Sequence, residues 1–385
     1  MGSIGSETRA RASDRVALAA SVVALAGWSL LPFVEFRANR IVDGAQLRVW
    51  AAAGPWAWLL LAALVLALAS ALAPVALRGR ALVAAGASSY AVLLFAIGAA
   101  AQGLTPPGDS PARVSIGAGA WVMLAGIAAL WFQGAQSDAS RSWKLAAGVV
   151  GVLATVAGVA FGGLAYLSLA LEYQAQKDTF WWLTYRHVLL TLGGTAIAAA
   201  IGVPLGIAAA RARFVRYTAI PTVGIIQTIP SLALFGLLMI PLAALGLPTI
   251  GTLPALIALT LYALLPIVRN TFLGVSGVDA GVVDAGRGMG MSRAELLLRV
   301  ELPLALPLLL EGLRAALVLT VGIAAVMAIG GAQDLGTLVF LGWGAQAADR
   351  VLLGAIPMVV LSVFADQGMR ALERAIVSPG IRGRR

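Results

Sequence analysis

The residues that could do chemistry in this chain are few, and most of them lie in one stretch. DAGRGMGMSRAELLLRVELP, from Asp284 to Pro303, carries six charges, three glycines and a serine between long apolar runs. Elsewhere the chain has no cysteine and a single histidine, His187. A thiolate metal site, a disulfide or a His-based catalytic triad is therefore not expected. A P-loop requires GxxxxGK[ST]. The only lysines, Lys144 and Lys177, follow Trp143 and Gln176 rather than glycine, so nucleotide binding by this chain is not expected. Two charged pairs fall inside apolar runs: Glu311 with Arg314, and Asp366 with Arg370. Their i, i+3 and i, i+4 spacings favour structural ion pairs within a helix.

Local chemistry gives the polar stretch a shape. Asp284 is suited to the start of a short helix, where the dipole favours a carboxylate. Gly286, Gly288 and Gly290 weaken and then end that helix. Ser292 followed by Glu295 reads as a capping box that opens a second helix. Glu295 and Arg299 can pair along it, and Pro303 is expected to close it. The result is helix, glycine turn, helix, with too little apolar surface to fold alone and a form suited to docking in a partner's groove.

The elements around this elbow are set by composition. The chain is 385 residues long, 60% hydrophobic and 11% charged, against about 25% charged for a soluble domain. It reads as an all-α polytopic membrane protein. Ten runs approach the roughly 20 residues that a bilayer core requires: 16–33, 55–77, 81–101, 115–133, 145–169, 188–210, 218–246, 250–275, 304–332 and 351–372. The basic start and the run ending Ala24-Leu25-Ala26 resemble a leader, but the spans that follow at once favour a retained first helix. With the N-terminus inside, 19 of the 27 basic residues fall on the inner side and 7 on the outer, as the positive-inside rule asks. Arg37, Arg40 and Arg48, after the first span, run against it. Both termini and the elbow are then expected in the cytoplasm. The net charge of +10 is accounted for by these loops, without a nucleic-acid partner.

The two halves differ in texture. The first five spans are rich in Ala, Leu and Val, and Gly158 with Gly162 forms a GxxxG that suits ordinary helix packing. Leu171 to His187 is polar, with Trp181, Trp182 and Tyr185 suited to lie along a membrane surface. The last five spans carry Pro204, Pro221, Pro230, Pro241, Pro254, Pro266, Pro307 and Pro357. Prolines remove backbone donors, and in lipid the freed carbonyls need protein or a wet cavity. A transport core with broken helices is expected there. Gln227, Thr228, Pro230, Ser231 and Tyr262 are the candidate path-lining residues.

The polar stretch resembles the coupling loop of ABC importer permeases, E-A-A-x3-G-x9-I-x-L-P: Asp284, Ala285 and Gly286 take the first places, then Gly290, Val300, Leu302 and Pro303 follow in register. Ile226 to Gly246, Ala255 to Thr271 and Val300 to Ala316 resemble permeases of the osmoprotectant importers, and the long leading half resembles the Yeh-type members. The resemblance implies an ABC importer permease core of five helices (type I, MetI-like) over 188–376 with the coupling loop at 282–303. Around it lie a tail at 1–15, an accessory module at 16–169, a periplasmic interfacial segment at 170–187 and a basic tail at 377–385. It implies a bacterial inner-membrane location, ATP and Mg held by a separate ATPase pair that meets Asp284, Ala285, Gly286, Gly290, Glu295 and Pro303, a periplasmic substrate-binding protein, and a second, shorter permease, with a homodimer as the alternative. The solute class implied is a quaternary ammonium or zwitterionic osmolyte such as glycine betaine. Another small solute such as an amino acid, an ion-coupled secondary transporter and a membrane scaffold remain open alternatives. One departure stands out. Where the family has I-G-A-G-G-L-G, residues Gly330 to Gly336 read GGAQDLG, placing Gln333 and Asp334 where glycines are usual.

Overall fold

The computed structural model describes residues 2–40, 42–106, 111–136, 141–161 and 163–377. Gly162, half of the expected GxxxG, and all of the basic tail except Val377 lie outside the described residues. The chain divides into two units, Met1–Ala175 and Gln176–Arg385.

The first unit comprises α1 (Gly2–Leu30), β1 (Val34–Arg37), β2 (Ala45–Leu47), α2 (Val49–Ala52), α3 (Pro55–Ala71), α4 (Val75–Leu104), β3 (Arg113–Ile116), α5 (Ala118–Gln136), α6 (Arg141–Ala160) and α7 (Ser168–Ala175). Its core is built on Phe33, Leu60, Leu64, Leu93, Met123 and Ile127. The small sheet is an addition to the expected helices: β1 pairs antiparallel with both β2 and β3, in the order β2-β1-β3. It gives the loop arginines partners. Arg37 pairs with Glu35 at 2.7 Å, Arg40 with the buried Glu172, and Arg48 lies over the Trp50 ring. None of the three that strained the charge asymmetry is a bare charge.

The second unit comprises α8 (Lys177–Arg211), α9 (Arg213–Thr228), α10 (Ser231–Ala244), α11 (Thr252–Ser276), α12 (Ala280–Gly288), α13 (Arg293–Leu296), a π turn (Leu297–Glu301), α14 (Leu302–Met327), α15 (Leu335–Gly344) and α16 (Ala348–Ile376). At 35 residues, α8 is about 52 Å long, well over a bilayer core. Residues 177–187, expected as a segment lying along the surface, are its first turns and carry Trp181, Trp182 and Tyr185 exposed.

Among the described residues seven helices are long and apolar enough to cross a membrane, an eighth counts if α9 and α10 form one span, and shorter apolar helices fill the first two expected positions. Proline had suggested several broken helices. Among the described residues there is one such break, where the chain bends by 111° between α9 and α10 at Pro230. Pro204, Pro266, Pro307 and Pro357 sit inside helices that continue past them. The close packing in this unit comes from a stripe on α8. An added Cβ would meet Leu259 at Gly194, Ile267 at Gly202 and Thr271 at Gly206, each under 3.0 Å. With Ala198 these positions repeat every four residues, a spacing that brings two helices together.

Candidate functional site

The elbow is a folded corner. Its first helix starts earlier than the sequence suggested: Asp279, not Asp284, is the cap, and its side chain accepts from Gly281 N at 2.8 Å and Val282 N at 3.3 Å. Asp284 lies mid-helix, paired with Arg287 at 2.9 Å in an exposed position. Ala285 accepts the closing bond from Met289 N. Gly286 is buried because a Cβ there would fall 2.6 Å from Leu296. Gly290 makes the turn with φ +81° and open space where a Cβ would lie, a conformation that only glycine adopts freely.

The capping box forms as read. Ser292 N donates to Glu295 Oε2 at 2.9 Å, and Glu295 N to Ser292 Oγ at 3.3 Å. Arg299 approaches Glu295 at 3.9 Å. Pro303 does not close the second helix. The chain runs on through the π turn, where Leu302 N bonds Leu297 O, into α14 with Pro303 in its first turn. A proline is tolerated in the first turn of a helix, where its missing donor is not needed. The elbow thus continues into α14 without a loop between them. Two anchors hold it: Leu296 is buried, and the buried Glu301 pairs with Arg211 at the end of α8. A cleft of about 800 Å³ between these elements is lined by Arg211, Ser276, Arg287 and Arg293 among others. Val282, Met289 and Leu298 stand exposed on the outer side of the elbow.

The candidate path residues converge on the α9–α10 break. Pro266 cannot donate to the carbonyl four residues before it, which belongs to Tyr262. Gln227 Nε2 donates to that oxygen instead, at 2.7 Å. Tyr262 Oη in turn donates to the carbonyl of Ile229, next to Pro230. Gln227 thus supplies the donor that Pro266 lacks, and Tyr262 meets a carbonyl at the break itself. Gln227 and Tyr262 are therefore a clasp between α9 and α11, and Tyr262 is only 4% exposed. Thr228 turns back on Ile225 O at 2.7 Å. Thr228 and Pro230 are exposed and Ser231 is half-buried.

The two charged pairs expected within single helices join into one network. Arg314 on α14 holds Glu311 and also reaches Asp366 on α16, which holds Arg370 at 2.9 Å. Every charge is compensated, so this group works as a strut between α14 and α16. Among the described residues no group of His, Asp or Glu could hold a metal ion.

Two family models match the chain, one over each half. Residues 14–170 match the N-terminal domain of the ABC transporter permease YehY, and residues 202–378 match the binding-protein-dependent transport system inner membrane component. The chain is 40% identical over 193 residues to the glycine betaine/carnitine/choline transport system permease protein OpuCD of Bacillus subtilis, covering 50% of this chain and 82% of that one. It is 38% identical over 200 residues to the osmoprotectant import permease protein OsmW of Salmonella typhimurium, covering 52% and 93%. The chain belongs to the osmoprotectant ABC permease family. The permease is a membrane-spanning transport subunit and not an enzyme. Among solved structures, an inward-facing MetNI methionine ABC transporter is similar at 22% identity and TM-score 0.49, covering 53% of this chain and 99% of that one.

Sequence reasoning missed several working residues of the permease. Asp279 was passed over for Asp284, although either spacing suits a cap. The role of Glu301 against Arg211 was not seen. The clasp had a signal in the sequence: Pro266 four residues after Tyr262 marks a carbonyl in need of a donor.

Proposed function

We propose that the permease forms part of an ATP-driven importer for a compact quaternary ammonium or zwitterionic solute such as glycine betaine. Its complex would contain a pair of ATPase subunits that hold ATP and Mg, a second and shorter permease, and a substrate-binding protein on the outer face. The location is the bacterial inner membrane with both termini and the elbow in the cytoplasm. Residues 16–169 serve as an accessory module, and residues 188–376 as the translocating core.

The observation that carries this reading is the elbow. It is a capped corner with exposed Val282, Met289 and Leu298, joined through a π turn to α14 and braced by Glu301 on Arg211. An ATPase groove that grips Asp284, Ala285, Gly286, Gly290, Glu295 and Pro303 would move α14 directly. The movement would shift α14 and α11 against the α9–α10 break. Thr228, Pro230 and Ser231 would then line the path, with Gln227 and Tyr262 shaping its wall. The break presents polar groups with no charged residue from 217 to 246, which suits weak, passing contact with a zwitterion. The solute class is supported by relatives named for glycine betaine, carnitine and choline. Uptake of labelled glycine betaine, choline and carnitine by the reconstituted complex, with its binding protein and ATP, tests the proposal. ATP-dependent uptake of at least one is expected. Transport of an amino acid alone would remove the solute and leave the importer.

A further inference from the structure

The end of the second unit opposite the elbow holds two buried ionisable side chains that the path does not use. His187, about three turns into α8, and Asp334, just before α15, are both 0% exposed. His187 Nδ1 lies 3.2 Å from Asp334 Oδ2. Asp334 Oδ1 accepts from Gly336 N at 2.8 Å and caps α15. The segment from Gly330 to Asp334 is fastened by other contacts too. Gly330 O accepts from Gly251 N at 2.8 Å. Ala332 O accepts from Arg186 Nη2 at 3.3 Å. The Phe235 ring of α10 lies so close to Gly330 that a Cβ there would come within 2.1 Å. Gln333 is held at φ +51°, a conformation a glutamine keeps only where its surroundings enforce it. Helices α8, α10 and α11 and the junction of α14 with α15 therefore meet at this one segment.

A buried ionisable pair in a membrane-spanning unit marks function by default. Proton carriage is one use, but it needs a hydrogen-bonded continuation beyond the imidazole. Among the described residues no protein group lies within hydrogen-bond reach of the buried His187 Nε2, so no side chain continues the relay. A mechanical tie is the other use. A carboxylate–imidazole bond in a dry site is strong while it is made, and it is lost at once when its helices separate. We infer that His187 and Asp334 are positioning residues of the transport cycle. Their bond latches the α14–α15 segment onto α8 and must open when α8 and α14 move apart.

This inference rests on the ATP-driven importer proposed above, and the test separates the two. In the complete reconstituted complex, His187→Phe and Asp334→Ala should raise ATP hydrolysis measured without solute or binding protein by about ten- to a hundredfold, the scale of one lost bond to a charged group. Solute moved per ATP should fall, and Asp334→Asn, which keeps one oxygen for the α15 cap but turns an amide nitrogen toward His187, should show the same loss and so separates the bond from the cap. A second readout needs no substitution, because His187 is the only histidine in the chain. With histidine-labelled permease and unlabelled partners, its hydrogen-bonded Nδ1–H resonance should be present without nucleotide and lost when ATP is trapped. A resonance unchanged between the two states, or assembled variants with parental basal hydrolysis and coupling, would overturn the latch. Uptake driven by a pH gradient without ATP would make the pair a proton site instead. If the parent shows no ATP-driven uptake of any solute, the importer reading itself fails.

Discussion

The clasp between α9 and α11 can be broken one bond at a time. Tyr262→Phe keeps the ring and removes only the hydroxyl, leaving the Ile229 carbonyl without its donor. Gln227→Leu keeps the bulk and leaves the Tyr262 carbonyl bare, because Pro266 cannot replace the amide. A polar group stripped of its partner away from water costs about 1–3 kcal/mol. Gln227→Leu strands the carbonyl of Tyr262, a nearly inaccessible residue, so its cost belongs in the upper part of that range. Tyr262→Phe strands the carbonyl of the half-buried Ile229 and belongs in the lower part. Both bonds join the same two helices through one tyrosine, so the double variant should depart from additivity by about 0.5–3 kcal/mol. Denaturation in mixed micelles measures all three, and uptake adds a separate reading. If the clasp fixes the break, Tyr262→Phe slows uptake about as much as Tyr262→Ala, with solute affinity of the binding protein unchanged. If the ring alone lines the path, Phe replaces Tyr without loss. Stabilities of both single variants within about 0.5 kcal/mol of the parent, together with parental uptake, would refute the reasoning.

Other expectations follow from the same contacts. Arg314→Met removes the charge that bridges Glu311 and Asp366 and should lower the unfolding midpoint far more than Arg370→Ala at the exposed end of the network. Ser292→Ala removes both of its side-chain contributions to the capping box and should cost the elbow about 1 kcal/mol, seen as faster amide exchange over residues 292–296. A chain beginning near residue 176, with its first helix inserted in the same orientation, should still bind the ATPase. Failure of a correctly inserted chain to do so would place part of the docking machinery in the first unit.

The parts legible in the sequence were those written in local code. The capping box at Ser292 and Glu295 needs only four residues, and the turn at Gly290 only one. Apolar run length located the helices well. Proline was a weaker guide, because a helix can continue past Pro266 once Gln227 supplies a donor from 35 positions away. Pro303 misled because it stands in the first turn of α14, where a helix tolerates proline, and the π turn before it runs straight into that helix. Contacts such as Arg211 with Glu301 and His187 with Asp334 span 90 and 147 positions, and local pattern does not reveal which charges will meet. The departure at Gln333 and Asp334 could be seen, but its partner could not.

The central claim is that the elbow couples ATP hydrolysis to solute movement, and Gly290 tests it most directly. Its φ of +81° is closed to proline, which is locked near −65°, and no side chain or backbone lies where a Cβ would go. Gly290→Pro therefore perturbs the turn through the backbone alone, and Gly288→Ala, within α12 and equally uncrowded, is its control. ATP hydrolysis and solute uptake should be measured together in the reconstituted complex with loaded binding protein. The account predicts that Gly290→Pro inserts in the membrane but loses uptake and its link to hydrolysis, while Gly288→Ala keeps both. Parental uptake with parental stimulation of hydrolysis in Gly290→Pro would contradict it.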